Sequence, residues 1–305
     1  VTPLRESALL ALGRSLRAAG YDFVTVTPAT HARNLARDRR LASTLRDVFG
    51  WSRAFRCEAV PPAIFRHLEA AGALVESQGL YRSAVRFSTC GGELFVHSGY
   101  PTVAREAVFF GPDTHRFCAA VARARVNAKR VVDVGCGTGA GGIVAGRTAE
   151  RVVLADVNDE ALAFARVNVA LAGREAEIVR SDVLAGVGGD LDLVIANPPY
   201  MLDSRGRAYR DGGGSLGEGL SVRIVREALD RLAPQGTLLL YTGTTVVDGI
   251  DVFRRAVEPF LVERGVTYTY EEVDPDVFGE ELEEEGYAAV ERIAAVLLTV
   301  TSPRA

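Results

Sequence analysis

Lysine is nearly absent from this chain: of its 35 basic residues 34 are arginine, and Lys129 stands alone. That bias reads as genome-wide base composition before it reads as function. Cysteine is scarce and scattered, since Cys57, Cys90, Cys118 and Cys136 form no CxxC pair. A disulfide framework or a zinc site is therefore not expected, and a reducing cytoplasm fits. Long apolar runs are missing too: nothing approaches the ~20 residues of a membrane-spanning helix. The start, Val1-Thr2-Pro3-Leu4-Arg5-Glu6, lacks the basic-then-apolar layout of a signal peptide. It also lacks an initiator Met, which predicts a trimmed or processed start. The four histidines, His31, His67, His97 and His115, lack metal-ligand spacing and are expected to serve structure. What is present is an ordinary globular balance, 48% apolar and 24% charged over 305 residues, which excludes a disordered, collagenous or coiled-coil protein. The length calls for one large or two moderate domains.

The net charge of −4 hides an asymmetry. Residues 1–130 carry 19 basic against 10 acidic residues, and residues 131–305 carry 16 against 29. The sign changes close to where the sequence pattern changes, which predicts a basic accessory domain over 1–100 and a catalytic domain over 101–305. A basic domain suits a polyanionic or acidic partner, although a solvated arginine-rich surface gives the same composition. The densest stretch, Arg33 to Arg56, holds seven arginines, among them Arg37, Arg39 and Arg40. Its aromatics Phe49, Trp51 and Phe55 are expected to be local core rather than base-stacking platforms.

The apolar spacing predicts a helix over 4–19 with Leu4, Leu9, Leu12 and Leu16 on one face, a second over 32–49, and a third started by Pro61-Pro62. Strand-like alternation follows over Leu80–Ser88 and Glu93–His97 about the turn Cys90-Gly91-Gly92, so the N-terminal part reads as mostly helical and winged-helix-like. From Arg130 onward apolar runs alternate with helical segments. Candidate strands are Val131–Val134, Val152–Ala155, Ala176–Val179, Leu191–Ala196, Thr237–Tyr241, Val266–Tyr270 and Ile293–Thr299, with helices starting near Gly141, Asp159, Gly217 and Ile250. That alternation predicts an α/β fold with a mostly parallel sheet covered on both faces. The acidic run Glu271–Glu285 is expected to be a solvated loop.

Chemistry enters at Val131-Val132-Asp133-Val134-Gly135-Cys136-Gly137-Thr138-Gly139-Ala140, where a strand gives way to a helix. Glycines there permit a tight turn and let a ligand approach the backbone. Asp156 ends the next strand, about twenty residues on, where a carboxylate can accept both ribose hydroxyls of a nucleotide-type cofactor. Gly135-x-Gly137-x-x-Ala140 also satisfies the dinucleotide fingerprint, so a nicotinamide-dependent oxidoreductase must be weighed.

Two further features separate the readings. Ser181-Asp182-Val183 follows the third strand, and its acid can accept from an adenine amine. Asn197-Pro198-Pro199-Tyr200 directly follows the apolar strand Leu191–Ala196. With these, the sequence from about Phe110 to Thr301 resembles the class I S-adenosylmethionine-dependent methyltransferases, in the branch with an Asn-Pro-Pro-aromatic motif. The resemblance implies a Rossmann-like seven-stranded sheet and S-adenosyl-L-methionine as cofactor. It places Asp133, Gly135, Cys136, Gly137, Gly139, Asp156, Val157, Ser181, Asp182, Val183 and Asn197 at the cofactor, and Asn197, Pro198, Pro199 and Tyr200 at the acceptor.

Methyl transfer from a sulfonium is an in-line displacement in which the protein chiefly supplies alignment. An amide or exocyclic amine nitrogen is a poor nucleophile because its lone pair is delocalised. The Asn197 side-chain carbonyl and the Pro198 backbone carbonyl can each accept one of its N–H groups, favouring the geometry of attack. Tyr200 can stack on the planar acceptor. HemK-type enzymes methylate a glutamine amide of release factors, while other members methylate adenine or guanine amines of RNA or DNA. The partner implied is thus a release-factor-like protein or a nucleic acid, the first slightly ahead, with neither membrane nor metal expected. The stretch Tyr209–Gly214 with Glu218 resembles a glycine-rich segment of HemK-like sequences and is expected to be a substrate lid or a surface loop. Phe109-Phe110-Gly111-Pro112-Asp113-Thr114 departs from the proline-containing stretch those enzymes carry at the same place. A binding protein that kept the fold without catalysis is the remaining alternative.

Overall fold

The computed structural model describes residues 2–38, 40–126, 128–203, 207 and 209–304. Its centre is a sheet built from β5 (Arg130–Val134), β6 (Arg151–Asp156), β7 (Glu177–Arg180), β8 (Leu191–Ala196), β9 (Leu232–Val247), β11 (Thr267–Asp274) and β12 (Arg292–Thr301). The strand order is β11-β12-β9-β8-β5-β6-β7, and the short β10 (Ile250–Asp251) pairs with β9. β7, β6, β5, β8 and β9 run parallel, whereas β12 is antiparallel to both of its neighbours. This is a doubly wound sheet, with its strand order reversing between β5 and β8. Ligands of such sheets sit at the carboxyl ends beside that reversal. Leu193–Ala196 of β8 and Leu238–Tyr241 of β9 are buried on both faces, which is why they read as apolar runs rather than as alternation.

Helices α5 (Pro112–Ala124), α6 (Ala140–Ala145), α7 (Asp159–Leu171), α8 (Gly219–Leu229) and α9 (Val252–Glu263) cover the sheet. Local chemistry starts them. Asn158 caps α7 by accepting from the Glu160 N–H at 3.0 Å, and Asp251 caps α9 by accepting from the Arg254 N–H at 2.8 Å. The helix expected near Ile250 is α9, which starts at Val252 directly after Ile250 and Asp251 pair with β9 as β10.

Residues ahead of α5 form a layer on α7. They comprise α1 (Pro3–Ala18), α2 (Pro28–Arg37), α3 (Leu45–Phe49), α4 (Pro62–Ala70) and two hairpins, β1 (Leu74–Ser77) with β2 (Leu80–Ser83) and β3 (Val85–Cys90) with β4 (Glu93–Ser98). Leu9, Leu12 and Leu16 of α1 share one core with Phe164, Val167 and Leu171 of α7. Gly13 is needed there, because a Cβ would lie 2.7 Å from a Leu171 methyl. Arg5 pairs with Glu160 at 2.6 Å, and the Asn168 amide bonds both backbone groups of Val96.

Several expectations need correcting. Leu4 is 81% exposed and does not join the buried face of α1. The helix expected over 32–49 is two helices, because the Asp47 carboxylate takes the backbone N–H groups of Ser43 and Thr44 and starts α3 with a capping box. The strand expected over Leu80–Ser88 divides at Ala84, whose N–H turns to Ala73. The β3–β4 hairpin is buried against α1 and α7, so it is no exposed wing. The acidic run begins inside β11, and its middle forms a short 3-10 turn over Gly279–Glu283. Phe49 and Phe55 are fully buried, as expected of local core.

Candidate active site

A cleft of about 630 Å³ opens at the carboxyl ends of β5, β6, β7 and β8 and is walled on its far side by residues of the N-terminal layer. The turn after β5 is made by glycines in the left-handed region, with φ +64° at Gly135, +53° at Gly137 and +76° at Gly139. A Cβ on Gly135 would meet nothing within 4 Å and would stand inside the cleft. Gly139 differs. It does not face the cleft, and its missing Cβ makes room for Leu154 and Ala165, so it is a packing glycine rather than a cofactor contact.

Two carboxylates, Asp133 buried and Asp156 half-buried, hold this turn. Asp156 accepts the Gly137 N–H and the Asn158 N–H, both at 2.9 Å. Asp133 accepts the Gly142 N–H at 2.7 Å, at the start of α6. Burial pushes the Asp133 carboxyl up to about 7, with the Gly142 N–H pulling the other way. Burial likewise raises Asp156, opposed by its backbone donors. Cys136 lines the cleft as a buried thiol raised by burial.

Val157 follows Asp156 on the cleft wall and is 49% exposed, an apolar surface left open to a planar ring. Ser181 is committed to its own turn, donating to the Val183 carbonyl at 2.9 Å and accepting the Gly186 N–H at 2.9 Å. Val183 lines the cleft in the left-handed region. Asp182 is at the rim, and Arg223 grips both of its oxygens at 2.8 and 2.9 Å. That fork leaves only spare lone pairs for an adenine amine.

Asn197-Pro198-Pro199-Tyr200 leaves β8 into the same cleft. The Asn197 amide is half-buried and makes no hydrogen bond to another described residue, so its carbonyl is free for a ligand. Tyr200 is less free than the motif implied. Its hydroxyl donates to Asp113 at 2.5 Å, and its ring lies against Gly243, where a Cβ would come within 2.1 Å. Asp113 also accepts from the Tyr241 hydroxyl at 2.9 Å and pairs with Arg116 at 3.1 Å. A buried acid on α5 therefore sets the Tyr200 ring, a role with no local signal in the sequence because its partners stand 87 and 128 residues away.

Residues 209–218 bind back onto the motif instead of forming a detached lid. Met201 N–H donates to the Arg210 carbonyl at 3.0 Å, and Gly212 N–H to the Met201 carbonyl at 2.9 Å. A Cβ on Gly217 would come within 2.2 Å of the Tyr200 carbonyl oxygen. Glu218 ties the Ser215 and Leu216 N–H groups. Arg210 pairs with Glu281, which brings the acidic run to the cleft rim. The Phe109 ring stacks on Tyr209 at 5.8 Å. Among the described residues no three His, Cys, Asp or Glu side chains gather as metal ligands, and no helix is long and apolar enough to cross a membrane.

Comparison with known proteins agrees with this geometry. The family model described as Methyltransferase small domain matches residues 116–246. The release factor glutamine methyltransferase of Deinococcus radiodurans is 38% identical over 129 residues, 38% of this chain and 46% of that protein. The ribosomal RNA small subunit methyltransferase C of Chromohalobacter salexigens is 33% identical over 112 residues, 37% of this chain and 31% of that protein. The chain thus spans about half, or less, of the length of such relatives. Among solved structures, a putative transferase of Pyrococcus horikoshii superposes with a TM-score of 0.52 at 12% identity, covering 79% of this chain and 83% of that one. The M. jannaschii tRNA m1G37 methyltransferase gives 0.50 at 18% identity, covering 73% and 58%. Residues 116–246 are thus similar to the methyltransferase small domain, and the fold is that of these solved transferases.

Proposed function

We propose that this chain is a cytoplasmic S-adenosylmethionine-dependent N-methyltransferase acting on a planar nitrogen, amide or exocyclic amine, of a macromolecule. The observation that carries the reading is the placement of a free Asn197 amide at the end of β8 and a glycine cradle at the end of neighbouring β5, open to one cleft. The residues fit the cofactor: a Cβ on Gly135 would fill cleft space, Asp156 keeps lone pairs for ribose hydroxyls, and Asp133 is a buried acid for an ammonium. When bound, S-adenosylmethionine supplies a sulfonium-activated methyl group. Asn197 and the Pro198 carbonyl accept the two N–H groups of the acceptor nitrogen and hold its lone pair toward the methyl. The prolines keep that carbonyl array stiff. Tyr200, fixed by Asp113, offers its remaining ring surface to the acceptor plane. Four free thiols suit a reducing compartment.

In this reading residues 1–100 are the acceptor-recognition layer and residues 101–305 the catalytic domain. A glutamine amide is favoured by the 38% identity to a release factor glutamine methyltransferase. A base amine is favoured by the likeness to an enzyme named for ribosomal RNA. Tritiated-methyl labelling of a methyltransferase-free lysate, split by protease and nuclease, tests the activity and sorts the acceptor. Label in neither fraction, with S-adenosylhomocysteine failing to bind, sinks the proposal.

A further inference from the structure

The N-terminal wall of the cleft holds a buried arginine with no acid to match it. Arg86 of β3 is 4% exposed and lines the cleft. Among the described residues no carboxylate pairs with it. Its Nε donates to the Gly50 carbonyl at 2.9 Å, and its Nη2 is buried without any hydrogen-bond partner. Buried arginines are almost always paired, because an uncompensated charge away from water is costly. Burial accordingly pulls Arg86 down to about 10, which still leaves it cationic at neutral pH.

His31 lines the same wall and is 1% exposed. Its Nε2 lies 3.0 Å from the Trp51 carbonyl, so that nitrogen carries the proton. Burial, then the nearby Arg86, holds the imidazole at about 4, so it is neutral. Nδ1 is therefore a bare acceptor, and it too is buried without a partner. The ring is pinned by Tyr100, stacked at 3.9 Å and 29°. The carbonyls of Gly50 and Trp51, consecutive in the chain, thus anchor the two side chains from behind. On two side chains that line the cleft, a strong donor and a strong acceptor are thus buried and unused by the protein.

From this pairing we infer that Arg86 and His31 form a subsite for a phosphate group and an accompanying hydroxyl donor of a nucleotide acceptor. The inference rests on the methyltransferase reading and names the substrate class of that same cleft. The phosphate oxygen completes the guanidinium of Arg86. A ribose or phosphate hydroxyl donates to His31 Nδ1. A glutamine side chain is neutral and would leave Arg86 unmatched, whereas a nucleotide carries a phosphate within a nucleoside's length of its exocyclic amine. Tyr100, Phe109 and Tyr209 add aromatic surface near the same cleft for the base.

The test uses the full chain saturated with S-adenosylhomocysteine, at constant ionic strength against a chloride baseline. Inorganic phosphate, sulfate, AMP, GMP and an acetylated Glu-Gln-Glu peptide amide are each titrated by calorimetry, with thermal midpoints in parallel. Phosphate and at least one nucleotide should bind and raise the midpoint. Arg86→Met should weaken both at least tenfold while leaving S-adenosylhomocysteine affinity unchanged. Sulfate, which has no proton to donate, should bind more weakly than phosphate, and His31→Phe should erase that difference. Arg86→Lys, which keeps the charge without the fork, serves if the Met variant is unfolded and should be intermediate. No anion response in the wild type would overturn the subsite. So would Arg86-dependent binding of the peptide without the nucleotides, or loss of S-adenosylhomocysteine affinity in Arg86→Met. Binding of S-adenosylhomocysteine to the wild type reports separately on the methyltransferase reading.

Discussion

On the sheet side of the cleft, the carboxylates of Asp133 and Asp156 are tied to backbone N–H groups before any ligand arrives. On the N-terminal side, Arg86 Nη2 and His31 Nδ1 are buried with nothing to bind. The first wall is complete as protein and offers a ligand its spare lone pairs. The second anchors its side chains on Gly50, Trp51 and the Phe23 ring but leaves these two atoms for a ligand to complete. In the proposed reading, interactions of the first kind serve fold and cofactor together, so substitutions there should cost both. Interactions of the second kind serve binding alone.

Asn197→Ala gives the largest expected effect, because this amide belongs to the second kind although it stands on the sheet side. Turnover should fall by about 10²–10³-fold, the range for losing one preorganised polar contact. S-adenosylhomocysteine affinity and thermal midpoint should stay near wild type. A variant with wild-type turnover would remove the motif from the chemistry. Asp156→Ala should behave in the opposite way. Losing acceptors for the ribose hydroxyls should weaken adenosine by ~1.5–3 kcal/mol. The Gly137 and Asn158 N–H groups lose their acceptor too, so the midpoint should drop with it. The affinity loss should shrink for 2′,3′-dideoxyadenosine, measured by calorimetry. An equal loss for both ligands would assign the whole effect to the turn.

Asp133 sharpens the comparison through pH. Its folded pKa of about 7 lies above its ordinary value of 3.8. The native state therefore holds an extra proton between those values, and the Asp133 contribution to stability declines as pH rises from about 4 through 7. A ligand ammonium prefers the ionised carboxylate. S-adenosylhomocysteine affinity should accordingly rise with pH up to about 7, by at most tenfold per unit, and level off above it. Adenosine, lacking the ammonium, should show no such rise, and Asp133→Asn should flatten the profile. A matching slope for adenosine would mean that the carboxylate does not face the ammonium.

The two walls also differ in how far the sequence discloses them. β8 and the Asn197–Tyr200 motif are contiguous, and the β5 turn and Asp156 are one strand–helix unit apart, so local pattern suffices. The same pattern overreached at Gly139, because a run of alternating glycines does not say which face of the turn each one presents. It missed Asp113, whose meaning appears only when α5 meets Tyr200 and Tyr241. The second wall draws His31, Arg86 and Tyr100 from three separate elements, and no spacing rule connects them. His31 reads as a structural histidine by every local criterion. The N-terminal helices were legible where apolar spacing or a proline start ruled, over 4–19 and at Pro62, and misread where a side chain cut in, as Asp47 does at Ser43 and Thr44.

The smallest expected effect belongs to the arginines on the outside of the N-terminal layer, which set exposed charge against the buried charge of Arg86. Charge reversal at Arg37, Arg39 and Arg40 together is a poor probe. Arg40 grips Asp47 with two bonds of 2.9 Å, so reversing it would repel the acid that starts α3, and Arg39 lies outside the described residues. Arg33 and Arg37 are exposed on α2, and among the described residues neither joins an ion pair. Arg33→Glu with Arg37→Glu should weaken binding of a short mixed-sequence RNA by less than ~1 kcal/mol at physiological salt, since exposed charges are well screened. The loss should grow at low salt, and the salt slope should become shallower, because fewer counterions are released. Arg86→Met should behave differently: it should remove nucleotide binding by a similar factor across the salt series, because buried charge is little screened. If the surface pair carries the larger effect, or both variants follow the same salt dependence, recognition lies on the outer face and the buried wall is not what the acceptor reads.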